Sequence, residues 1–568
     1  MLVILDGGDR RLAFSKPQAI ISANTAQEVP DALAAMSAAR AEGWWLSGWF
    51  AYELGFALEP RLAYLSPAVE FPLLTFGLFD APHDPDEDVG RAYVGRMQPE
   101  WSAADYAGPF AVVKEALAAG DIYQANLSLR AHFPFFGDPR GLYEQLRANS
   151  AAPYCAYLDD GIRQIVSLSP ELFFEIEQGM IVARPMKGTA PRLGHDETER
   201  AALAASPKDR AENLMIVDLL RNDLGRIAEI GSVAVPKLFA VETYPTLHTM
   251  VSTVTARLRK DADIPDILAA LFPCGSITGA PKIRAMEILR DLEASPRGTY
   301  CGAIGFFAPK VDGRARFNVA IRTLTIRGQV GEVGVGGGIV QDSECESEYA
   351  ECLLKARFLT DAHRPIELIE TVRYDRVFVR LSRHLKRMEG SARAFGLAFS
   401  ASLAQEALTQ AVAGWDGPLR VRLTLDEDGH HRATAAALRI DPVCWVYAVA
   451  PGRTRSGDPF LRHKTNWREV LQEGLVRPPL DELVLVNERG ELTEGSRSNI
   501  FVKYGSRLVT PPVTSGLLPG CLRAELLESG VCQEGPLTEA DLGGEVYFGN
   551  SLRGLVLGKR HGDFGLCG

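Results

Sequence analysis

The chain lacks a basic excess, a cysteine pattern and any long apolar run. Lys and Arg number 61 against 72 Asp and Glu, for a formal net charge of −11. That balance argues against a nucleic-acid-binding surface, which is normally basic. No apolar stretch approaches the roughly 18 residues of a membrane span. The opening Met1-Leu2-Val3-Ile4-Leu5-Asp6 has neither a basic start nor a long apolar core, so no signal peptide is expected. The nine cysteines are scattered without a Cys-x-x-Cys spacing. They read as reduced thiols of a cytoplasmic protein, not as a disulfide framework.

What is present is ordinary for a globular chain: 46% hydrophobic and 23% charged residues. A length of 568 residues predicts more than one domain. Three spans are expected. Residues 1–105 are an α/β region without evident chemistry, residues 106–361 carry the first set of motifs, and residues 366–568 carry the second. The polar break Thr360–Pro365 separates the last two, and the hydrophobic pattern restarts after it.

The first motifs centre on Ser167-Leu168-Ser169-Pro170-Glu171 and Arg184-Pro185-Met186-Lys187-Gly188-Thr189. Apolar strands Leu172–Ile176 and Met180–Ala183 lie between them, and that spacing predicts a hairpin that brings Glu171 and Lys187 to one sheet edge. A carboxyl and an amine so placed can serve as acid and nucleophile. The plain alternative is a surface ion pair. Upstream, a helix from about Pro109 to Ala119 stops at Gly120, and a strand carrying Gln124 follows.

Two later helices offer acidic pairs. The stretch from Ser206 to Arg226 carries Asp209 and Glu212. After the run Gly334–Val340 a helix carries Glu348, Glu351 and Lys355. Spacings of three and four put each set on one face. One such pair is usually a solvated face, whereas two flanking a glycine loop suit a hard divalent cation. The segment Ser276–Lys282 is a polar turn with Pro281 suited to a first helical turn, whose amides favour an anion. Arg322 reads as part of an apolar strand, where a bidentate carboxylate ligand or a structural salt bridge would satisfy it.

Together with Asp218–Leu224 and Gly275–Lys282, these motifs resemble the chorismate-utilising enzymes over about residues 105–361. The resemblance implies an α+β fold, with a chorismate-binding, anthranilate synthase-like domain of packed sheets and outer helices. It implies chorismate as substrate and Mg²⁺ held by Glu212 and Glu351, with Asp209 and Glu348 nearby. Arg322 would hold the pyruvyl carboxylate. The amides of Gly336, Gly337 and Gly338, with Lys355, would hold the ring carboxylate, and Thr278 would line the ring. Gln124 stands where relatives that add water carry a lysine base. Thr249 stands where relatives often carry a histidine, which makes His248 the neighbouring candidate. Lys187 points to the aminodeoxychorismate-forming branch, in which this lysine attacks ring carbon 2 while Glu171 acts as the acid. Anthranilate synthases usually carry alanine there, and that activity is the alternative. The chain has no Gly-x-Cys-x-Gly elbow, so ammonia is expected from a separate glutamine amidotransferase subunit or from solution.

About residues 366–560 resemble the class IV aminotransferases and aminodeoxychorismate lyase. The marks are Arg380–Arg387, His463-Lys464-Thr465-Asn466, Leu492–Phe501 and Gly516–Arg523. This implies an α/β domain of PLP fold type IV with pyridoxal 5′-phosphate (PLP) as cofactor. By resemblance, Lys464 forms the Schiff base and Glu494 pairs with the pyridinium nitrogen. Arg387, the amides near Leu517 and Leu518, and Ser551 would bind the phosphate. The implied reaction eliminates pyruvate from 4-amino-4-deoxychorismate and leaves p-aminobenzoate. A branched-chain or D-amino-acid aminotransferase is the alternative, and a homodimer through this part is expected.

Overall fold

Strands such as Trp45–Phe50 and Gln164–Ser169 are buried along nearly their whole length. A strand without an exposed face must be covered on both sides, which drives sheets to pack on one another and on helices. The computed structural model describes residues 1–568 except 7–9, 68–70, 87, 151, 245–246, 440–441, 469–475 and 563–568. Pro245 and Thr246 of the Tyr244–Ser252 motif therefore lie outside the described residues. The chain divides into two units. The first comprises Met1–Val89, Arg96–Pro134 and Pro139–His363, and the second comprises Gly90–Gly95, Phe135–Asp138 and Arg364–Gly568.

The first unit is built on two large, predominantly antiparallel sheets. In one, the strands run in the order Gly279–Ala280, Gln124–Gly137, Val330–Ile339, Thr323–Arg327, Gln164–Ser169, Tyr154–Asp159, Leu2–Leu5, Leu12–Ser15. In the other the order is Met186–Pro191, Leu247–Arg257, Met180–Arg184, Leu172–Glu177, Ala315–Val319, Ala303–Phe307, Trp45–Phe50, Leu74–Phe79, Ala19–Ala23. Phe50, Phe76, Phe174, Phe307 and Phe317 form an aromatic centre of the core. Apart from residues 90–95, the opening residues belong to the first unit, as an N-terminal region of the same half. Leu2–Leu5 pairs with Tyr154–Asp159, and Trp45–Phe50 pairs with Ala303–Phe307, so the opening residues belong to the same sheets as the motifs.

Two helix limits differ from expectation. The helix expected from Pro109 begins at Ala103, because Ser102 and Asp105 close a reciprocal capping box and the chain carries Pro109 inside the helix. The helix expected to carry Glu348, Glu351 and Lys355 spans Cys345–Leu354, which leaves Lys355 as its C-cap. Arg357–Thr360 forms a separate short turn of helix. The helix bearing Asp209 and Glu212 spans Pro207–Gly225, with the Ser206 side chain capping Asp209 N–H.

The second unit has a four-stranded sheet (Val377–Phe378, Leu368–Asp375, Leu419–Leu425, His431–Ala437) covered by the helices Leu381–Phe395 and Ala401–Val412. It also has an eight-stranded sheet in the order Leu492–Gly495, Glu482–Asn487, Cys444–Thr454, Gly554–Arg560, Val546–Asn550, Asn499–Tyr504, Arg507–Thr510, Cys532–Glu534. Its core is not made from residues 366–568 alone, as the restart of the hydrophobic pattern suggested. Tyr93 is 1% exposed and clusters with Leu368, Phe395 and Phe460, and Phe136 packs against the same group. Among the described residues no helix is long and apolar enough to cross a membrane.

Close backbone approach in the second sheet of the first unit requires glycine. Gly305 lies opposite Gly48, and a methyl group on Gly305 would sit 1.9 Å from the Arg316 carbonyl oxygen. Gly305→Ala is therefore expected to destabilise the first unit by about 1–3 kcal/mol. The check is the denaturant midpoint, and an unchanged midpoint would contradict the strand packing.

Candidate active site

Glu171 is brought to Lys187 by the pairing of Leu172–Glu177 with Met180–Arg184, followed by the strand Met186–Pro191. Glu171 is 3% exposed. Burial pushes its carboxyl up to about 7, against hydrogen bonds from Ser276 and the Met186 amide and the nearby Lys187 amine. Its Oε1 is buried without a hydrogen-bond partner among the described residues. Burial likewise lowers the Lys187 amine from its ordinary value, with Glu212 pulling it back up and Lys355 pushing it further down. Desolvation thus drives both groups toward their neutral forms.

The glycine run forms the next wall. Val330–Ile339 pairs with Gln124–Gly137 out to Ile339, but its register with Thr323–Arg327 ends at Val333. Beyond Val333 one edge of the strand has no ladder partner among the described residues. A side chain at Gly338 would lie 2.4 Å from Gln124 Nε2 and 3.4 Å from Lys187 Nζ. One at Gly337 would lie 3.0 Å from Glu348 Oε2 and 3.8 Å from Lys355 Nζ. Glycine therefore makes room for Gln124 and Lys187 on one face of the strand and for Glu348 and Lys355 on the other, because successive side-chain positions point to opposite faces. Gln124 is 1% exposed and its Oε1 has no hydrogen-bond partner among the described residues. Lys355 donates to the Gly336 carbonyl at 2.9 Å and pairs with Glu351 at 2.8 Å. Gly336 lies opposite Ser128, across the Gln124–Gly137 strand.

The acidic residues meet from two helices. Asp209 lies against Gly188, where a methyl group would come within 2.9 Å of its Oδ1. Burial raises Glu212, with Lys187 and Lys208 opposing and Asp209 and Glu348 adding to the rise. Glu348 accepts from Ser343 Oγ at 2.6 Å. Glu351 is held below its ordinary value by Lys355 despite the upward push of burial. By chemistry these are hard oxygen donors suited to a divalent ion, which would relieve the repulsion that Asp209 and Glu348 impose on Glu212. In this arrangement of side chains, however, no three of these described residues bring their oxygens close enough together to hold one.

Arg322 is not inside a strand. It takes a left-handed conformation, φ 48°, between the strands Ala315–Val319 and Thr323–Arg327. The described residues give its guanidinium no ion pair, and burial lowers it. A carboxylate ligand would satisfy it. Thr278 is fully buried, with its hydroxyl donating to the Cys274 and Gly275 carbonyls. The expected helix-start amides are flanked by Lys282, whose amine is taken by Asp223 at 2.7 Å.

Along Leu247–Arg257, successive side chains point to opposite faces, so His248 and Thr249 do not share one. His248 Nε2 meets Glu199 at 3.1 Å and its Nδ1 meets Thr243 at 3.0 Å, whereas Thr249 donates to the carbonyl of Gly188, the residue after Lys187, at 3.2 Å. Ser276 was marked in the sequence only as the start of the polar turn Ser276–Lys282, not as a partner of Glu171, and Lys208 was marked only by lying beside Asp209.

In the second unit Lys464 donates to Thr371 Oγ1 at 3.0 Å, and burial lowers its amine to about 8. Arg387 makes two hydrogen bonds to Glu370, at 2.8 and 2.7 Å, and one to the Pro519 carbonyl. Glu370 also takes His384 Nδ1 at 2.6 Å, and His384 Nε2 meets Ser551 Oγ at 2.8 Å. Burial favours the neutral Glu370 acid, yet Arg387 and His384 hold it well below the ordinary carboxylate range. Glu494 pairs with Arg468 at 2.6 Å and accepts from the Leu518 amide at 3.2 Å. That amide is therefore committed to Glu494 and not free for a phosphate, while Leu517 is fully buried. An amine lowered to about 8 beside a buried guanidinium and carboxylate fits a cofactor with an aldehyde, an anionic group and a ring nitrogen. Glu370, Thr371, His384 and Arg468 were missed as site residues. A charged residue inside the apolar run Ile366–Val372 was the available signal for Glu370.

Comparison with known proteins adds to this geometry. Residues 3–361 match the family described as chorismate binding enzyme, and residues 367–559 match amino-transferase class IV. The chain is 41% identical over 336 residues to aminodeoxychorismate synthase component 1 of Klebsiella aerogenes, covering 54% of this chain and 74% of that protein. It is 42% identical over 259 residues to anthranilate synthase component 1 of Methanothermobacter thermautotrophicus, covering 45% of this chain and 55% of that one. The crystal structure of anthranilate synthase component I from Streptococcus pneumoniae superposes with a TM-score of 0.52 at 25% identity, covering 63% of this chain and 89% of that one.

The raised Glu171 carboxyl has a consequence for stability. A carboxyl whose folded value lies above its unfolded value weakens the fold as pH rises from about 4.5 to about 7. Glu171→Gln removes that penalty. The variant is expected to match the parent at pH 4 and to exceed its Tm at pH 8 by a few degrees. Equal Tm differences at both pH values would contradict the burial of an ionisable Glu171.

Proposed function

The chain belongs to the chorismate binding enzyme family, and on that premise we propose that its first unit aminates chorismate at ring carbon 4 and its second releases pyruvate from the product. The observation that carries the first half is the meeting of Lys187 with Glu171 beside the unpaired glycine edge. The curated relative from Klebsiella aerogenes supports it by its name, and Lys187 itself disfavours the anthranilate alternative.

In the proposed reaction chorismate lies along the glycine run, with its ring carboxylate on the Gly336–Gly338 amides and Lys355 and its pyruvyl carboxylate on Arg322. Thr278 and Thr249 bound the ring. The neutral Lys187 amine attacks ring carbon 2, both ring double bonds shift (C1=C2 to C1=C6, and C5=C6 to C4=C5), and the bond from carbon 4 to its hydroxyl breaks. Glu171 gives its proton to that departing oxygen, which leaves as water. Ammonia then bonds to carbon 4, both double bonds shift back, and the carbon–nitrogen bond to Lys187 breaks. Glu171 carboxylate takes up the proton lost by the incoming nitrogen. Gln124 cannot act as a base, so water has no activated route to the ring. Glu212 and Glu351, with Asp209 and Glu348, would hold Mg²⁺, which supplies charge neutralisation at the ring carboxylate. Ammonia comes from a glutamine amidotransferase partner or from solution.

In the second unit Lys464, Glu494, Arg387 and Ser551 would hold PLP, which supplies an electron sink. Lys464, with its amine near 8, can take up and return a proton near neutral pH. Arg387, locked by Glu370, offers a fixed cation for an anionic group. Pyruvate loss would leave p-aminobenzoate. The expected homodimer through this unit is part of the same proposal. The free thiols of the described cysteines suit a reducing, cytoplasmic compartment.

The direct test is to supply chorismate, Mg²⁺ and ammonia to the chain loaded with PLP and to identify the products. Pyruvate with p-aminobenzoate supports the reading, and pyruvate with anthranilate overturns it. The rate of chorismate consumption should fall as pH rises through about 7, because Glu171 must hold a proton to give one. Glu171→Gln should lose about 10²–10⁴-fold in rate, and a fall above pH 7 that persists in this variant would remove the assignment.

Lys187→Ala should abolish or greatly slow the natural amination, and steady-state rates equal to the parent's would remove the covalent step. Lys464→Ala should lose PLP binding and pyruvate release while the chain still consumes chorismate and accumulates the amino intermediate. Undiminished pyruvate release from that variant would rule out Lys464.

A further inference from the structure

The segment that carries Lys464 is held from two sides. On one side the Ile369 amide donates to the Lys464 carbonyl at 2.8 Å, the Asn466 amide donates to the Glu367 carbonyl at 3.0 Å, and Lys464 Nζ reaches Thr371. The other side is formed within the second unit by residues 90–95 and 135–138, which enter it from far earlier in the sequence. Ala92–Val94 pairs antiparallel with Phe135–Gly137.

Arg91 spans the Lys464 segment like a staple. Its Nε and one terminal nitrogen donate to Asp458 Oδ2 at 3.0 and 2.6 Å, and its other terminal nitrogen donates to the Trp467 carbonyl at 3.0 Å. Asp458 precedes Lys464 and Trp467 follows it. The guanidinium also lies 4.9 Å from the centre of the Phe460 ring. Phe136 packs at 5.1 Å from both Phe460 and His463, the residue next to Lys464. Tyr93 packs at 5.7 Å from Trp467 and is buried, with its hydroxyl donating to Glu427 at 2.8 Å.

We propose that Arg91, backed by Tyr93 and Phe136, is a positioning residue for the Lys464 site. It fixes both ends of the segment from Asp458 to Trp467 and so fixes the direction in which the Lys464 amine points. The planar fork suits this role because one guanidinium can serve a carboxylate and a carbonyl at once, whereas an ammonium is a single point charge. The consequence is that the second activity depends on residues that precede the first unit's motifs in sequence, although none of them touches the reacting atoms. The proposal rests on the reading of Lys464 as the PLP-binding lysine.

The test uses the full chain, with PLP titrated into the cofactor-free protein and followed by visible absorbance. It also measures pyruvate release from supplied 4-amino-4-deoxychorismate and chorismate consumption. Arg91→Ala should lower the kcat of pyruvate release by roughly ten- to a hundredfold, as misplacement of a reacting group does. It should also shift the pH at which the bound PLP changes colour. Chorismate consumption should equal the parent's, which shows that the first unit is folded, and PLP uptake in the titration should persist, which shows the same of the second. Arg91→Lys should recover part of the rate. Asp458→Asn should reproduce the loss, with the double variant no worse than either single one.

Should Arg91→Ala fail to fold, Arg91→Lys and Asp458→Asn carry the same test. A parent that binds PLP and variants that match it in kcat and in the colour change overturn the inference alone. A parent that takes up no PLP overturns the functional reading and the inference with it.

Discussion

Desolvation of two ionisable groups of opposite kind is the constraint on which the first unit's site depends. In water Lys187 would be an ammonium and Glu171 a carboxylate, and neither form could do the chemistry proposed. Burial penalises both charges, so the amine falls and the carboxyl rises to about 7. The cost is visible in the sheet that carries them. Glu171 leaves one oxygen without a partner, and its carboxyl is held by the Ser276 hydroxyl and the Met186 amide without a full counter-charge. The two residues can be held so only because flanking strands, Leu172–Glu177 and Met180–Arg184, are anchored by a core that has no need of them.

The glycine run supplies the complementary surface. Three successive positions without side chains bring the strand edge close to Gln124, Glu348 and Lys355, and that edge is left unpaired beyond Val333. On the proposed reading, the unpaired amides next to Lys355 would receive one carboxylate of chorismate and Arg322 in its left-handed turn the other, and the two acidic helix faces would hold the cation. The proposed site is thus organised by charge, with an acid and an amine that burial drives toward their neutral forms.

The second unit uses a different device. Glu370 is buried yet stays ionised, because Arg387 and His384 both pair with it. That pairing locks the guanidinium in place and orients His384 toward Ser551. Glu494 is also paired, with Arg468, but there burial prevails and raises its carboxyl. The Glu370 charge is held by its partners, whereas at Glu171 and Lys187 burial works against the charge. Lys464 falls between the two regimes, with Glu370 raising its amine and burial, Arg387 and Arg468 lowering it.

By itself the sequence determined the local pieces: the strand ends at Glu171 and Lys187, the acidic faces of two helices, the glycine run, and the blocks around Lys464 and Glu494. Each of these is a matter of spacing within a few residues, where strand and helix periodicity decides which side chains share a face. Only the tertiary structure decided which faces meet. His248 and Thr249 are neighbours in sequence, and nothing local says which one meets the Gly188 carbonyl beside Lys187. Arg322 was placed in a strand by its apolar neighbours, and the left-handed turn follows from how two strands join. The partners Glu370, His384 and Ser551 are drawn from segments far apart, and so are Arg468 and Glu494. Residues 90–95 and 135–138 join a unit whose remaining residues begin at 364. Periodicity carries no information over such separations, because long-range pairing is set by which buried surfaces and buried charges can satisfy one another once the sheets have formed.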